Sequence, residues 1–330
     1  MALKRISLAL LIVIVAGMLY AAASLEKIEI LELDCNGSPT DFIKYRCKGF
    51  NILAVKQSGG VFKVRILGIT SKKLELIGTL ECKTGKYGLA AFQDRINLYT
   101  PAGELKSHYK PQGKEVEVIS CCISDVDGDS NEELLTVEGD GREFYGHKLV
   151  MLSFDNGFEK RYEREFKELN PWKIQTCDVD GNHRREIALG VYKEASFHPV
   201  MAKRPFLYRW DKGDIVPMWR GSRLSRPFED YIFFDIDADG KDEIIAIERL
   251  SDGKKLINSY SWAGFGFESI AESMPYGDIL MLATQYDGGE SLLIQVEEGK
   301  QHPWIELEKV GEELVEKSEF NKIVFIRNKF

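Results

Sequence analysis

The sequence predicts an all-β fold, a single β-propeller of six or seven four-stranded blades, on three observations. Three acidic segments repeat without gaps. Short apolar runs bounded by turn residues recur along the whole chain. Hardly any stretch carries helical periodicity.

The repeats are ISDVDGDSNEELLTV from Ile123, TCDVDGNHRREIALGV from Thr176 and FFDIDADGKDEIIAI from Phe233. Their first aspartates, Asp125, Asp178 and Asp235, are spaced by 53 and 57 residues. Apolar runs rich in Val, Ile and Leu flank each acidic stretch and read as strands. Two more strands follow, RPFLYRW and DIVPMW after Asp178, then KKLINSYSW and FGFESIA after Asp235. Four strands in a unit of roughly 40–50 residues is the arithmetic of a propeller blade.

Other units keep the rhythm without the acidic loop. FNILAVKQ, VFKVRILGI and KLELIGTL form one, and YGLAAFQD, RINLYTP and ELKSHYK another. DILMLATQY, SLLIQVEE, WIELEKV and EELVEKS form a third near the C-terminus. KIEILELD and KIVFIRNK are left over, to complete a blade between the termini or start a seventh. No Pro/Ser-rich linker divides the chain, so residues 24–330 read as one domain.

Lys4 and Arg5 precede an apolar stretch from Ile6 to Tyr20, followed by Ala21, Ala22 and Ala23. This is the pattern of a secretory signal peptide over residues 1–23. The alternative is an uncleaved signal anchor tethering the protein to a membrane. Either address places the protein outside the cytoplasm, secreted or at the cell envelope. No cysteine near the cleavage point argues for a lipid anchor, and no second span follows. Six cysteines, at 35, 47, 82, 121, 122 and 177, allow up to three disulfides. Buried thiols are the other reading for Cys121, Cys122 and Cys177, and adjacent strand residues would face opposite sides.

The 330 residues carry 44 Lys+Arg against 52 Asp+Glu, a net charge of −8, with 44% apolar residues. These are globular proportions, and the acidic balance argues against a nucleic-acid partner.

Within each acidic loop, oxygen-bearing side chains fall at positions 1, 3, 5 and 9. They are Asp125, Asp127, Asp129 and Glu133; Asp178, Asp180, Asn182 and Glu186; Asp235, Asp237, Asp239 and Glu243. Such crowding of carboxylates calls for a cation, and hard oxygen ligands on a curled loop suit Ca²⁺. Ordinary solvated hairpin turns are the alternative. Gly128 and Gly181 occupy position 4 and Gly240 position 6, which leaves open a different curl in the third loop. The second loop is the weakest, since Asn182 replaces a charge and Arg184 and Arg185 crowd it. The turn Asp287-Gly288-Gly289-Glu290 is too short for the motif and is expected to be metal-free.

These units resemble FG-GAP/VCBS-type repeats, the family that includes integrin α-subunit propellers and many exported bacterial proteins. The match lies in Asp125–Glu133, Asp178–Glu186 and Asp235–Glu243. The resemblance implies up to three structural calcium ions, with the carbonyls of Asn131, Arg184 and Lys241 as further ligands. It also implies that the metal loops join the first and second strands of a blade on one face.

The opposite face would then carry Arg142, Tyr145, Lys203, Arg204, Trp219, Arg220, Arg223 and Arg226. Arginine beside aromatics suits an anionic glycan or an acidic envelope protein. The competing reading pairs these arginines internally and uses the tryptophans as packing between blades. No nucleophile elbow, metalloprotease helix, phosphate loop or dinucleotide fingerprint is present. The expectation is a binding or scaffold module rather than an enzyme. A calcium-dependent polysaccharide lyase is the enzymatic alternative.

Overall fold

The computed structural model describes residues 40–47, 50–57, 61–67, 76–81, 88–92, 94–99, 105–140, 145–286, 290–299 and 303–317. The expected signal peptide, Cys35, Cys82, Arg142, the 287–289 turn and the two leftover segments lie outside these residues. Among the described residues the structure is all-β, with one short 3-10 turn at Lys167–Leu169. No helix there is long and apolar enough to cross a membrane.

The chain divides into two compact units, Met1–Glu75 and Leu76–Phe330. The first contains β1 (Thr40–Cys47), β2 (Phe50–Gln57) and β3 (Val61–Leu67), an antiparallel sheet in chain order. Strand β1 is TDFIKYRC, which the sequence reading missed because its apolar residues are interrupted by Lys44 and Arg46.

The second unit is a succession of four-stranded antiparallel meanders. They are β4 (Leu76–Glu81), β5 (Gly88–Phe92), β6 (Arg95–Tyr99) and β7 (Leu105–Tyr109); then β8 (Val116–Ser124), β9 (Glu133–Asp140), β10 (Lys148–Ser153) and β11 (Glu159–Glu165). Next come β12 (Pro171–Cys177), β13 (Glu186–Ala195), β14 (His198–Asp211) and β15 (Asp214–Arg220). The last two meanders are β16 (Phe228–Phe234), β17 (Glu243–Arg249), β18 (Lys255–Trp262), β19 (Phe267–Ser273), and β20 (Ile279–Tyr286), β21 (Glu290–Val296), β22 (Trp304–Val310), β23 (Glu313–Glu316). These join into one eight-stranded sheet through a short parallel pair, Glu272 beside Glu313 and Ser273 beside Leu314.

The grouping corrects one boundary. The strand expected to end a unit with β2 and β3 instead begins the next, because Leu76–Glu81 pairs with Gly88–Phe92. An apolar strand looks alike at either end of a meander; only its pairing partner assigns it.

The sheets of the second unit share cores in chain order. Leu89 and Leu98 form one core with Cys121, Leu134 and Leu152. Leu135, Val137 and Met151 join Ile187, Leu189 and Phe206 in the next. Leu207 and Ala188 meet Tyr231, Phe233 and Ile244, and Ile232 and Ile245 meet Leu282, Leu292 and Leu307. A central strand is thus buried on both faces, which explains why β9 is buried from Glu133 to Gly139, its glutamates included. Each such Leu or Ile contributes about 1.5–3 kcal/mol on burial. Cys121 and Cys122 fall in different cores, as neighbours on a strand must, and both are buried thiols outside any disulfide among the described residues, as is Cys177.

The first strands of neighbouring meanders lie side by side. The Ile174 N–H donates to Ser120 Oγ at 3.1 Å, and Gln175 Nε2 donates to the Tyr231 carbonyl at 3.2 Å. This brings β8, β12 and β16 together, and with them the loops that follow each.

Candidate metal loops and the opposite face

The acidic loops occupy 125–132, 178–185 and 235–242, and each joins the first strand of a meander to its second. The first residue is the hub. Asp125 accepts from the N–H groups of Gly128 at 2.8 Å and Ser130 at 3.0 Å; Asp178 accepts from Gly181 at 2.8 Å and His183 at 2.7 Å. Asp235 accepts from Asp239 at 3.1 Å and Gly240 at 3.0 Å. The position 5 side chain takes the N–H two residues on, in Asn131 to Asp129, Arg184 to Asn182 and Lys241 to Asp239. The last glutamate reaches back to the N–H of position 2, from Val126 to Glu133, Val179 to Glu186 and Ile236 to Glu243, at 3.0–3.1 Å.

The three loops curl alike. Position 4 is left-handed in Gly128 (φ 80°), Gly181 (71°) and Ala238 (58°), and position 6 in Ser130 (73°), His183 (64°) and Gly240 (88°). The shifted glycine of the third loop keeps both left-handed positions, while the first donor to the hub moves from position 4 to position 5. A non-glycine residue takes up the strained conformation instead, at about 1–2 kcal/mol.

Carboxylate oxygens of Asp125, Asp127 and Glu133, of Asp178, Asp180 and Glu186, and of Asp235, Asp237 and Asp239 gather within 4.8 Å in each loop. Each cluster could hold a metal ion. Burial first, then the neighbouring aspartates, push Glu133 up to about 7 and Glu243 up to about 8. Glu186 is raised by burial too, with Arg209 opposing the rise. A cation among these oxygens would remove the repulsion. Among the described residues no ion pair reaches Asp125, Asp127, Asp129 or Glu133. In the third loop Lys309 lies 3.5 Å from Asp237 and Lys241 3.1 Å from Asp239. In the second, Arg209 approaches Asp180 and Glu186. Arg185 does not crowd its own loop; it pairs with Asp242 of the next at 2.7 Å. Arg209, Lys309 and Asp242 were not singled out from the sequence, since each acts across a strand or between meanders.

The residues expected to form a basic binding face have different fates. The Tyr145 ring stacks on Tyr192 at 5.0 Å. The Lys203 ammonium sits 4.2 Å from the Trp172 ring centre and donates to the Glu229 carbonyl. Arg204 is fully buried and donates to the carbonyls of Lys193, His198 and Val200. Trp219 packs edge-on against Phe267 and Trp262. Arg226 pairs with Glu248 at 3.0 Å and with both oxygens of Glu272 at 2.7 and 3.2 Å. Arg220 and Arg223 stay exposed. Internal pairing thus accounts for three of the basic residues.

No family model matches the chain, and no curated protein matches it. Two of the solved structures similar to it are the following. A candidate 6-phosphogluconolactonase from Bacteroides uniformis ATCC 8492 is 9% identical, with a TM-score of 0.52, covering 87% of this chain and 83% of that one. A protein of unknown function from Bacteroides caccae is 12% identical, with a TM-score of 0.48, covering 81% and 89%. At these identities the first likeness concerns the fold alone.

Proposed function

We propose that the protein is an exported, calcium-stabilised β-propeller of six or seven blades of the FG-GAP/VCBS type. It serves as a binding or scaffold module at the cell envelope. The observation that carries the reading is the shared hydrogen-bond pattern of three acidic loops at the same joint of consecutive meanders. Solvated turns have no reason to repeat a nine-residue geometry that includes a strained, non-glycine residue each time. Calcium bound there neutralises the clustered carboxylates and holds a meander's first two strands together. Its ligands are the side chains at positions 1, 3, 5 and 9, joined by the position 7 carbonyl.

The role is structural, so the functional surface lies elsewhere. The exposed Arg220 and Arg223, between the second and third metal-loop meanders, support an anionic glycan or an acidic protein as the ligand.

Thermal unfolding in millimolar Ca²⁺ and in chelator tests the metal. A ligand of the folded state adds about 2.7 kcal/mol per site at 100-fold saturation. A melting point indifferent to calcium would end the calcium reading. Saturable binding to an acidic glycan, weakened in an Arg220→Ala, Arg223→Ala variant, would support the module. Turnover of the glycan would point to an enzyme instead.

A further inference from the structure

We propose that the second acidic loop is closed by the Arg209 guanidinium in place of a metal ion, so that calcium enters only the first and third loops. The proposal rests on the calcium reading above and divides the three loops that it treats alike.

The geometry is specific to one meander. Arg209 Nη2 lies 2.7 Å from Asp180 Oδ2, and Nε lies 3.5 Å from Glu186 Oε1. Asp180 and Glu186 are two of the three cluster-forming carboxylates of that loop. One planar cation therefore bridges positions 3 and 9, from a half-exposed side chain on β14.

Strand register explains why the other loops lack this cation. Ile187 pairs with Tyr208, which sets Arg209 across from Glu186. The equivalent pairs are Leu134 with Leu152 and Ile244 with Tyr260. The residues in Arg209's place are thus Ser153 and Ser261, which carry no charge. Asn182 completes the difference. At positions 1, 3, 5 and 9 the second loop has three carboxylates and Arg209 across from the last, whereas the first and third have four and a serine in Arg209's place.

The lysines of the third loop do not play the same part. Lys309 and Lys241 each touch a single carboxylate, and neither makes an ion pair with Asp235 or Glu243. The second loop is also tied from its other side, through Asp242, without an ion. A metal entering it would have to displace a charge-assisted contact at 2.7 Å.

The test is calcium stoichiometry by equilibrium dialysis, together with melting in chelator, on the purified protein and two variants. Arg209→Ser copies the other meanders, and Arg209→Lys keeps a charge without the fork. We expect two ions bound by the parent and three by Arg209→Ser. Asp125→Asn and Asp235→Asn each remove one ion from the parent, while Asp178→Asn removes none. In chelator, Arg209→Ser melts below the parent and Arg209→Lys lies between them. Three ions in the parent, or no gain in Arg209→Ser, would overturn the proposal. If the parent bound no calcium, the calcium reading would fail by itself. The melting order in chelator would then decide whether Arg209 closes its loop, and equal melting points would refute it.

Discussion

The carboxylate of Asp242, eighth residue of the third loop, accepts the backbone N–H of Asp178, first residue of the second, at 2.8 Å. The Asp242 N–H returns a bond of 2.8 Å to the Asp178 carbonyl. Two neighbouring loops are therefore cross-bonded at their backbones, and Arg185 completes the contact at 2.7 Å. Removing the Asp242 side chain leaves a partly buried N–H and a guanidinium without their acceptor. Asp242→Ala is expected to lower stability by about 1–3 kcal/mol, read as a shift in the urea midpoint with unchanged slope.

The shared left-handed positions yield a pair of opposite effects. Ala238 holds φ 58° where the other loops have glycine, so Ala238→Gly should stabilise by up to about 1 kcal/mol. Gly128→Ala meets no atom within 4 Å and should destabilise by about 1 kcal/mol through backbone strain alone. Chemical denaturation of both variants in chelator checks the signs, and like signs would mean the loops do not share their curl.

Without calcium, stability should fall as pH rises. Glu133 and Glu243 start from 4.5 and are raised to about 7 and about 8 by burial and neighbouring carboxylates. Between these values the folded state holds protons that the unfolded state has released, so raising pH favours unfolding. The loss runs from about pH 4.5 to pH 8 and then levels off. Urea midpoints at pH 5 and pH 8 in chelator should differ in that direction, and millimolar Ca²⁺ should narrow the gap.

The Arg226 network separates structure from ligand binding. Glu248 is fully buried and takes Arg226, Asn258 and Tyr260 as partners. Arg226→Ala strands that carboxylate and should cost about 3 kcal/mol or more. Arg220→Ala and Arg223→Ala, at exposed positions, should stay within about 0.5 kcal/mol of the parent. Melting curves of the three single variants measure the contrast.

Local features were legible in the residues themselves. The acidic repeat announces the loops because its turn residues and carboxylates act within nine positions of one another. Runs such as IIAI of β17 announce themselves because burial on both faces selects continuous apolar residues. TDFIKYRC did not, since its charges break that pattern.

What the sequence by itself determined is the repeat, the strands around it and the positions of the carboxylates, all set by short-range chemistry. The tertiary structure decided which cation meets which acid. Arg209 reaches Asp180 through hairpin register, Arg185 reaches Asp242 of the next loop, and Arg226 is drawn into a buried pair rather than left for a ligand. Charge attraction depends on distance in space, and residues 22 to 57 positions apart acquire that distance only when strands pair and sheets stack.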